Sequence, residues 1–243
     1  MKSLIIGNGQ VGQSLYNVLK ETHEVYIRDI EPIEINDVKV IHLCFPYSDK
    51  FVEIANGYID LYKPELTINH SSVAVGTTEQ LKGKVCYSPI RGKHPKLEKG
   101  IETFDKYIAS NNPLDLQAAY LYFKVAHIPA KILGTPNGMR DLEYCKLMSN
   151  IRYAWEIVFM QEAERIAIQL NVDIEQFKDF EASYNKGYRM LGEHYLQRPI
   201  MFGGEIGGHC CIPCTEIISG QAVTFLKDII TASNEAKKKA VDK

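Results

Sequence analysis

The chain has 243 residues, of which 45% are hydrophobic, and its formal net charge is -2. This length allows one large domain or two modest ones, each with a core of its own. The nearly balanced charge gives no electrostatic reason to expect binding to nucleic acid or to an anionic membrane surface.

The first thirty residues carry a dinucleotide-binding pattern. An apolar strand over residues 3–6 leads into GNGQVG over 7–12 and then into a helix predicted over 13–20. In such a turn the first glycine allows the tight bend, the second lets a pyrophosphate approach the backbone, and the third lets the helix pack closely. A second strand over 24–27 is followed by Asp29, where a carboxylate would bind the adenosine ribose. The pattern predicts a site for NAD, with NADP left open because Arg28 is adjacent.

Strands and helices continue to alternate up to about residue 134. Strands are predicted over 38–45, 66–69, 84–87, 105–110 and 131–133, and helices over 50–62 and 113–126. This order predicts an α/β domain built on a doubly wound, Rossmann-like sheet. His42, Cys44 and Cys86 lie inside apolar strands, so we expect them to be core residues and not ligands.

The second half of the chain has a helical pattern. Residues 140–170 contain no proline or glycine and carry apolar residues at helical intervals, which predicts one long helix that ends near Asn171. Two more helices are predicted over 174–191 and 215–240. We therefore predict an NAD-binding domain over 1–136 and an all-helical domain over 137–243 for substrate binding and dimerisation. The active site is expected in the cleft between them, in a homodimer.

A glycine- and cysteine-rich segment lies within this helical half. Residues 203–214 read GGEIGGHCCIPC and place His209, Cys210, Cys211 and Cys214 within six positions. A thiol beside a histidine can be held as the reactive thiolate, which favours a nucleophile loop. A zinc site is the alternative, but adjacent Cys210 and Cys211 point apart and the usual ligand spacing is lacking, so we predict no metal. The spacing of the six cysteines is irregular and not that of a secreted disulfide framework. The N-terminal apolar run is too short for a signal peptide, and no segment approaches the length of a membrane span. We therefore expect a soluble cytoplasmic protein.

Four motifs then follow one another along the chain. They are HSSVAVGTT over 70–78, YSPIR over 87–91, EYCKLMSN over 143–150 and the segment over 203–214. They resemble, in this order, the STVPVGTT turn, the SPER segment, the start of the long central helix and the GxGxGGHCIP loop of one enzyme family. That family is the nucleotide-sugar 6-dehydrogenases, which act on UDP-glucose, GDP-mannose or, as in the type that this chain resembles most, UDP-N-acetylmannosamine.

The resemblance implies two hydride transfers to NAD, which take a primary alcohol at the sugar C6 to a carboxylate through a cysteine thiohemiacetal. Cys210 is the nucleophile by ungapped alignment, with Cys211 as its rival because Cys211 directly precedes the Ile-Pro pair. Lys146 and Asn150, four residues apart on one helix, would stabilise a developing alkoxide. The predicted cofactor-binding residues are Gly7, Asn8, Gly9, Gln10, Val11, Gly12, Asp29, Pro46, Ser72 and Thr77.

The chain also departs from the family. Ile90 stands where SPER has its glutamate, and Cys214 stands where an aspartate follows the nucleophile, so two proton-transfer groups are missing. Because the sequence ends at Lys243, we expect the family's third, UDP-binding domain to be lacking. Two alternatives to an active enzyme of this family follow. One is a catalytically impaired NAD-binding homologue, and the other, suggested by His94 and Pro95, is a hydride-transfer enzyme of the prephenate dehydrogenase type.

Overall fold

A five-stranded parallel sheet organises the first half of the protein in the computed structural model, which describes residues 1–93, 95–207 and 210–241. Its strands are β1 (Lys2–Ile6), β2 (Glu24–Arg28), β3 (Val40–Leu43), β4 (Leu66–Asn69) and β5 (Val85–Tyr87). Their spatial order is β2-β1-β3-β4-β5, so the winding direction reverses between β1 and β3. The doubly wound, Rossmann-like sheet predicted from the sequence is confirmed.

Helices cover both faces of this sheet. They are α1 (Gln10–Leu19), α2 (Phe51–Tyr62), α3 (Leu97–Thr103) and α4 (Pro113–Val125). One core lies under α1, α3 and α4, and a second lies under α2 and the start of the long helix α5. Successive side chains of a strand point to opposite faces of the sheet. Ile5 of β1 therefore lies in the first core, and Leu4 and Ile6 lie in the second.

Two short strands extend the sheet. They are β6 (Lys106–Ile108) and β7 (Ala130–Ile132), which pair in parallel with each other. The backbones of Tyr87 and Ala109 exchange hydrogen bonds of 2.8 and 2.9 Å in an antiparallel bridge that joins this ribbon to β5. Contacts within the chain define a first compact unit over residues 1–147.

The second unit, residues 148–243, is helical in the part that the structure describes. Helix α5 (Gly138–Leu170) is the predicted long helix, and it runs across the division between the units. It is followed by α6 (Ile174–Met190), α7 (Cys211–Gln221) and α8 (Leu226–Val241). The predicted domain boundary after residue 136 lies just before α5 begins, and the assignment of one function to each domain stays a prediction.

Two element predictions were wrong in detail. Helix α1 begins at Gln10 and not at residue 13, because the helix starts inside the glycine motif. The single helix predicted over 215–240 is two helices, since Ala222 leaves α7 in an extended conformation and the Thr224 hydroxyl caps the Leu226 N–H at 3.2 Å. A threonine hydroxyl that accepts a hydrogen bond from a backbone N–H two residues later favours the start of a new helix over the continuation of the previous one. Among the described residues, no helix combines the length and apolarity that a bilayer crossing requires.

Polar side chains form a buried hydrogen-bonded chain on the α4 face of the sheet. The Tyr122 hydroxyl lies 2.9 Å from Ser3 Oγ and 3.0 Å from His42 Nε2. His42 Nδ1 lies 2.9 Å from His70 Nε2, and the other ring nitrogen of His70 contacts the Ser88 carbonyl oxygen. Burial lowers the pKa of His42 to about 3 and the pKa of His70 well below its usual range. His42 is therefore a satisfied core residue, as predicted, and both rings are neutral at pH 7.

We expect mild acid to destabilise the protein through these two histidines. Folding lowers the pKa of both rings, so above the unfolded-state pKa of 6.5 they are neutral in both the folded and the unfolded protein. Below pH 6.5 only the unfolded protein binds the protons, and the free energy of unfolding therefore falls. The free energy of unfolding in urea should drop by about 2–3 kcal/mol between roughly pH 7.5 and pH 5.5. His42→Gln should about halve this drop, whereas His127→Gln, at an exposed position, should leave it unchanged. Equal free energies of unfolding at the two pH values would show that the rings are not buried as neutral groups.

Candidate functional site

Two glycines of the GNGQVG turn are required by the packing of the protein itself. Gly7 has a φ of 105°, and a Cβ there would lie 2.6 Å from the carbonyl oxygen of Cys44 at the end of β3. A Cβ on Gly12 would overlap the carbonyl oxygen of Gly7. Larger residues at either position would therefore separate α1 from β1 or β3 from β1.

The middle glycine has no such internal cause. Gly9 has a φ of -77° and a ψ of -173°, which any residue adopts, and a Cβ there would meet no described atom within 4 Å. Gly9 precedes the first turn of α1, which holds Gln10, Val11 and Gly12; within the described chain, no side chain caps this turn and no acidic residue lies in it. The first N–H groups of a helix lack intrahelical partners and attract anions. The open space therefore lies where a phosphate could contact the start of α1.

Other predicted cofactor residues lie at the same edge of the sheet. The Gly7 N–H donates to the carbonyl oxygen of Arg28 at 2.8 Å, so exposed Asp29 follows β2 directly beside the glycine turn. Pro46 follows β3, which places it at the carboxyl end of the strand across the reversal point from β1. In open α/β sheets, ligands bind in the crevice at this reversal point.

The Arg28 side chain contacts both helix α2 and the backbone beside Asp29, where it donates to the carbonyl oxygens of Asp29 and Ile30, each at 3.4 Å. Its guanidinium donates to the Tyr62 hydroxyl at 2.8 Å and lies 5.0 Å from the centre of the Tyr58 ring, both on α2. A cation that contacts an aromatic face and a hydroxyl is stabilised in that orientation. The sequence placed Arg28 next to Asp29 but contained no signal for these two tyrosines.

A buried carboxylate fixes the turn over residues 70–78. Glu143, in the first turns of α5, is fully buried and accepts hydrogen bonds from the backbone N–H groups of Gly76 (2.5 Å) and Thr78 (2.8 Å). Burial raises the pKa of Glu143, and these donors oppose the rise. The turn carries half-buried Ser72 and buried Thr77, two of the predicted cofactor residues. Glu143 lay within a quoted motif, but the sequence did not reveal that it acts on this turn.

Two lysines hold the segment over residues 88–90. Lys106 Nζ donates to the carbonyl oxygens of Ser88 and Pro89, and the Pro89 distance is 3.1 Å. Lys146 Nζ donates to the carbonyl oxygen of Ile90 at 2.9 Å. Lys106 is buried, and burial lowers the pKa of its ammonium well below the usual range, with the charge of Lys146 adding to the effect. Lys146 therefore has a main-chain partner that the sequence did not predict, and Lys106 was missed because its strand pattern is indistinguishable from core.

Helices α5 and α8 clamp the glycine-rich start of the segment over 203–214. Gln161 Nε2 on α5 donates to the Gly204 carbonyl oxygen at 2.7 Å, and the Ile206 N–H donates to Asn234 Oδ1 on α8 at 2.8 Å. A Cβ on Gly203 would lie 2.5 Å from the carboxylate of Glu164. Both amide side chains are buried, and amides are the residue type that can serve backbone N–H and C=O groups alike.

The thiols of this segment lie at the start of α7. Cys210 is half-buried and precedes the helix, whereas Cys211 and Cys214 are buried within its first turn. Asn150 Nδ2 donates to Cys214 Sγ at 3.2 Å, so the predicted catalytic amide contacts this thiol. His209 and His94 lie outside the described residues, and no metal-binding group of three His, Cys, Asp or Glu side chains occurs among the described ones.

The remaining thiols differ in reactivity. Burial raises the pKa of both Cys44 and Cys86 to about 12, so neither is a thiolate at neutral pH. Cys145 is exposed on α5. The expectation that Cys44 and Cys86 are core thiols and not ligands is consistent with this chemistry.

Solved protein structures share this architecture. UDP-D-ManNAc dehydrogenase from Pyrococcus horikoshii matches with a TM-score of 0.83 at 16% identity over 100% of this chain and 70% of its own. Psf3, solved in complex with NADP+ and 2-OPP, matches with a TM-score of 0.64 at 14% identity over 98% of this chain and 94% of its own. 3-Hydroxyisobutyrate dehydrogenase from Mycobacterium tuberculosis matches with a TM-score of 0.63 at 13% identity over 99% of this chain and 94% of its own. No protein-family model matches the chain, and no curated protein matches it in sequence.

The architecture is thus one that dehydrogenases of nucleotide sugars and of small hydroxy acids have in common. The resemblance to nucleotide-sugar dehydrogenases that four motifs indicated is confirmed at the level of the fold. At 13–16% identity the likeness concerns the fold alone.

Removing the Glu143 carboxylate should destabilise the first unit. Glu143→Ala leaves the backbone N–H groups of Gly76 and Thr78 buried without this acceptor, which should lower the free energy of unfolding by about 2–4 kcal/mol. The matched control is Glu79→Ala, which removes a carboxylate paired with Arg140 at the surface and should change stability by less than about 1 kcal/mol. Urea unfolding of both variants measures the difference, and equal effects would contradict a clamping role for Glu143.

Proposed function

We propose that the protein is an NAD-dependent dehydrogenase that oxidises a primary alcohol, in the manner of the nucleotide-sugar 6-dehydrogenases. The observation that carries the cofactor assignment is Gly9. Its backbone needs no glycine, and a side chain there would meet no atom of the described residues within 4 Å. Gly9 nevertheless lies at the start of α1, which has no side-chain cap among those residues, at the reversal point of the sheet. A bound pyrophosphate would account for glycine at this position, because its oxygens must approach the backbone closely.

Other residues of the edge would complete the cofactor site. The carboxylate of Asp29 would accept hydrogen bonds from the adenosine ribose hydroxyls. It would repel a 2'-phosphate, which favours NAD over NADP, and the Arg28 guanidinium, which contacts Tyr58, Tyr62 and the Asp29 carbonyl oxygen, is the group that could offset this repulsion. Asn8, Pro46, Ser72 and Thr77 belong to the loops of the same edge. When bound there, NAD supplies a hydride acceptor.

The catalytic part of the proposal assigns roles to three side chains. Cys210 is the least buried of the three thiols near the start of α7, so it is the one most accessible to a substrate. As a thiolate it would attack an aldehyde carbon and hold the substrate as a thiohemiacetal. The Lys146 ammonium and the Asn150 amide would each stabilise negative charge on the substrate oxygen. Cys211, buried in the first turn, remains the rival nucleophile.

The substrate and the assembly are also proposals. A nucleotide-sugar is the first candidate, given the motifs over 70–78 and 203–214, and a smaller hydroxy acid is the second. A homodimer through the helical unit is supported by a row of exposed apolar side chains along α5, which are Trp155, Phe159, Ile166 and Leu170. Their spacing of four, seven and four residues places them on one side of the helix.

One observation favours a second candidate function, an NAD-binding homologue without turnover. Ile90 packs in the core where an enzyme of this type would need a proton-transferring acid, and Lys146 donates to the Ile90 carbonyl oxygen. An isoleucine cannot transfer a proton, so hydrolysis of a thioester would lack its usual base.

Alanine at Gly9 should separate cofactor binding from folding. Gly9→Ala introduces a methyl group into open space, so the fold should lose no more than about 1 kcal/mol, while the affinity for NAD should fall by about tenfold or more. Gly57→Ala is the control, because this helical glycine of α2 also faces open space but lies away from the carboxyl edge. Calorimetric titration of NAD into each variant gives the result, and undiminished affinity in Gly9→Ala would refute the pyrophosphate assignment.

Loss of the nucleophile should abolish oxidation but not cofactor binding. We expect Cys210→Ala to stop NADH formation from UDP- and GDP-sugars, followed by absorbance, while NAD still binds; Cys211→Ala should retain turnover. Activity that survives in Cys210→Ala and disappears in Cys211→Ala would transfer the role to Cys211. A wild-type protein that binds NAD and turns over no sugar in the panel would instead support the second candidate function.

A further inference from the structure

The cysteines at the start of α7 form a pattern beyond what a single nucleophile needs. Cys211 and Cys214 occupy the first and fourth positions of the helix, and the sequence between them is Ile-Pro. This Cys-x-x-Cys arrangement is found where thiols are activated by a helix N-terminus for thiol–disulfide exchange. Pro213 fits the first turn because the N–H groups there have no intrahelical acceptor to lose.

The geometry of one helical turn brings the two residues within bonding range. Positions three apart in an α-helix have Cα atoms about 5 Å apart, inside the range of about 4.4–6.8 Å that disulfides span. Cys210 and Cys211 are adjacent in sequence, and their side chains diverge. The pair that the first turn favours is therefore Cys211 with Cys214.

A second observation concerns the environment of Cys214. Its side chain is 1% exposed, yet the Asn150 amide donates to its sulfur at 3.2 Å. The amide therefore provides a polar contact to a sulfur that is otherwise removed from solvent. The hydrogen bonds of the described residues include no donor contact to the sulfur of Cys44 or Cys145, whereas Cys86 has a side-chain hydrogen bond with Ser110 and donates to the Asp115 carbonyl at 3.3 Å.

We propose that Cys211 and Cys214 form a redox-active dithiol that exchanges with low-molecular-weight disulfides such as glutathione disulfide. One protein thiolate attacks a glutathione sulfur, which breaks the glutathione disulfide and releases one glutathione thiolate. The other protein thiolate attacks the protein-bound sulfur of this mixed disulfide and releases the second. The dithiol loses two electrons and two protons, and the glutathione disulfide gains them as two reduced glutathiones.

The exchange needs neither NAD nor a sugar, so it can be tested separately from the dehydrogenase proposal, in which Asn150 and Cys211 also have roles. The disulfide would close a small ring across the first turn of α7. The Cys214 sulfur, which Asn150 contacts, would then be part of this disulfide and no longer a thiol or thiolate. Cys210 takes no part in this disulfide in either state. The dithiol thus couples the redox state of the surrounding thiol pool to the segment that carries Cys210.

The test uses the full-length protein, equilibrated in buffers from fully reduced to fully oxidised glutathione, alkylated with iodoacetamide and analysed by mass spectrometry. All three thiols lie on one tryptic peptide, residues 190–227, because Arg198 is followed by proline and the next basic residue is Lys227. Wild type and Cys210→Ser should each lose two alkylatable thiols and two hydrogen atoms in this peptide. Cys211→Ser and Cys214→Ser should retain glutathione as a mixed disulfide or remain reduced.

Three results would overturn the proposal. The first is a disulfide that persists in Cys211→Ser, because it would pair Cys210 with Cys214. The second is a full complement of alkylated thiols after equilibration in fully oxidised glutathione. The third is the finding that disulfides form only between chains. Circular dichroism identifies any serine variant that fails to fold. For such a variant, fragmentation of the wild-type peptide decides the pairing, and a Cys211–Cys214 linkage there is the supporting result.

Discussion

At the end of β1, the backbone of the glycine turn approaches other backbone atoms closely. The arrangement of the loops at the carboxyl ends of the strands depends on this close approach. Gly7 lies against the Cys44 carbonyl and Gly12 against the Gly7 carbonyl, at distances that no Cβ tolerates. This contact brings the start of α1 to the point where the sheet reverses direction, and it leaves Gly9 in open space with respect to every residue that the structure describes. Two glycines are therefore required by the fold, whereas the third is required neither by its backbone conformation nor by packing among the described residues.

The loops around this point are held by polar side chains that come from elsewhere in the chain. Glu143 fixes the turn that follows β4, and Lys106 and Lys146 fix the segment that follows β5. Gln161 and Asn234 hold Gly204 and Ile206 in the same way. Side-chain clamps on main-chain groups give irregular segments a defined geometry without secondary structure, and an unpaired main-chain group would be costly where these segments are buried.

Sequence reasoning succeeded where the determinants are local. The glycine turn, the alternating strands and the length of α5 follow from backbone sterics and apolar periodicity over a few residues, so the Rossmann-like fold and the helical half could be predicted. The break at residues 222–225 was missed because a threonine cap competes with a pattern that otherwise continues. The partners of Lys146, Asn150 and Glu143 could not be predicted, since each is 56 or more positions distant and is selected by tertiary packing.

Lys106 has a consequence for how opening of the first unit could be observed. Its ammonium is 3% exposed beneath the segment over 88–90, while most other lysines of the chain lie at the surface. A reagent that acylates free amines would therefore label the surface lysines in the native state and reach Lys106 only when the sheet opens there. The rate at which Lys106 is labelled would thus report the rate of local unfolding of the segment that it holds in place.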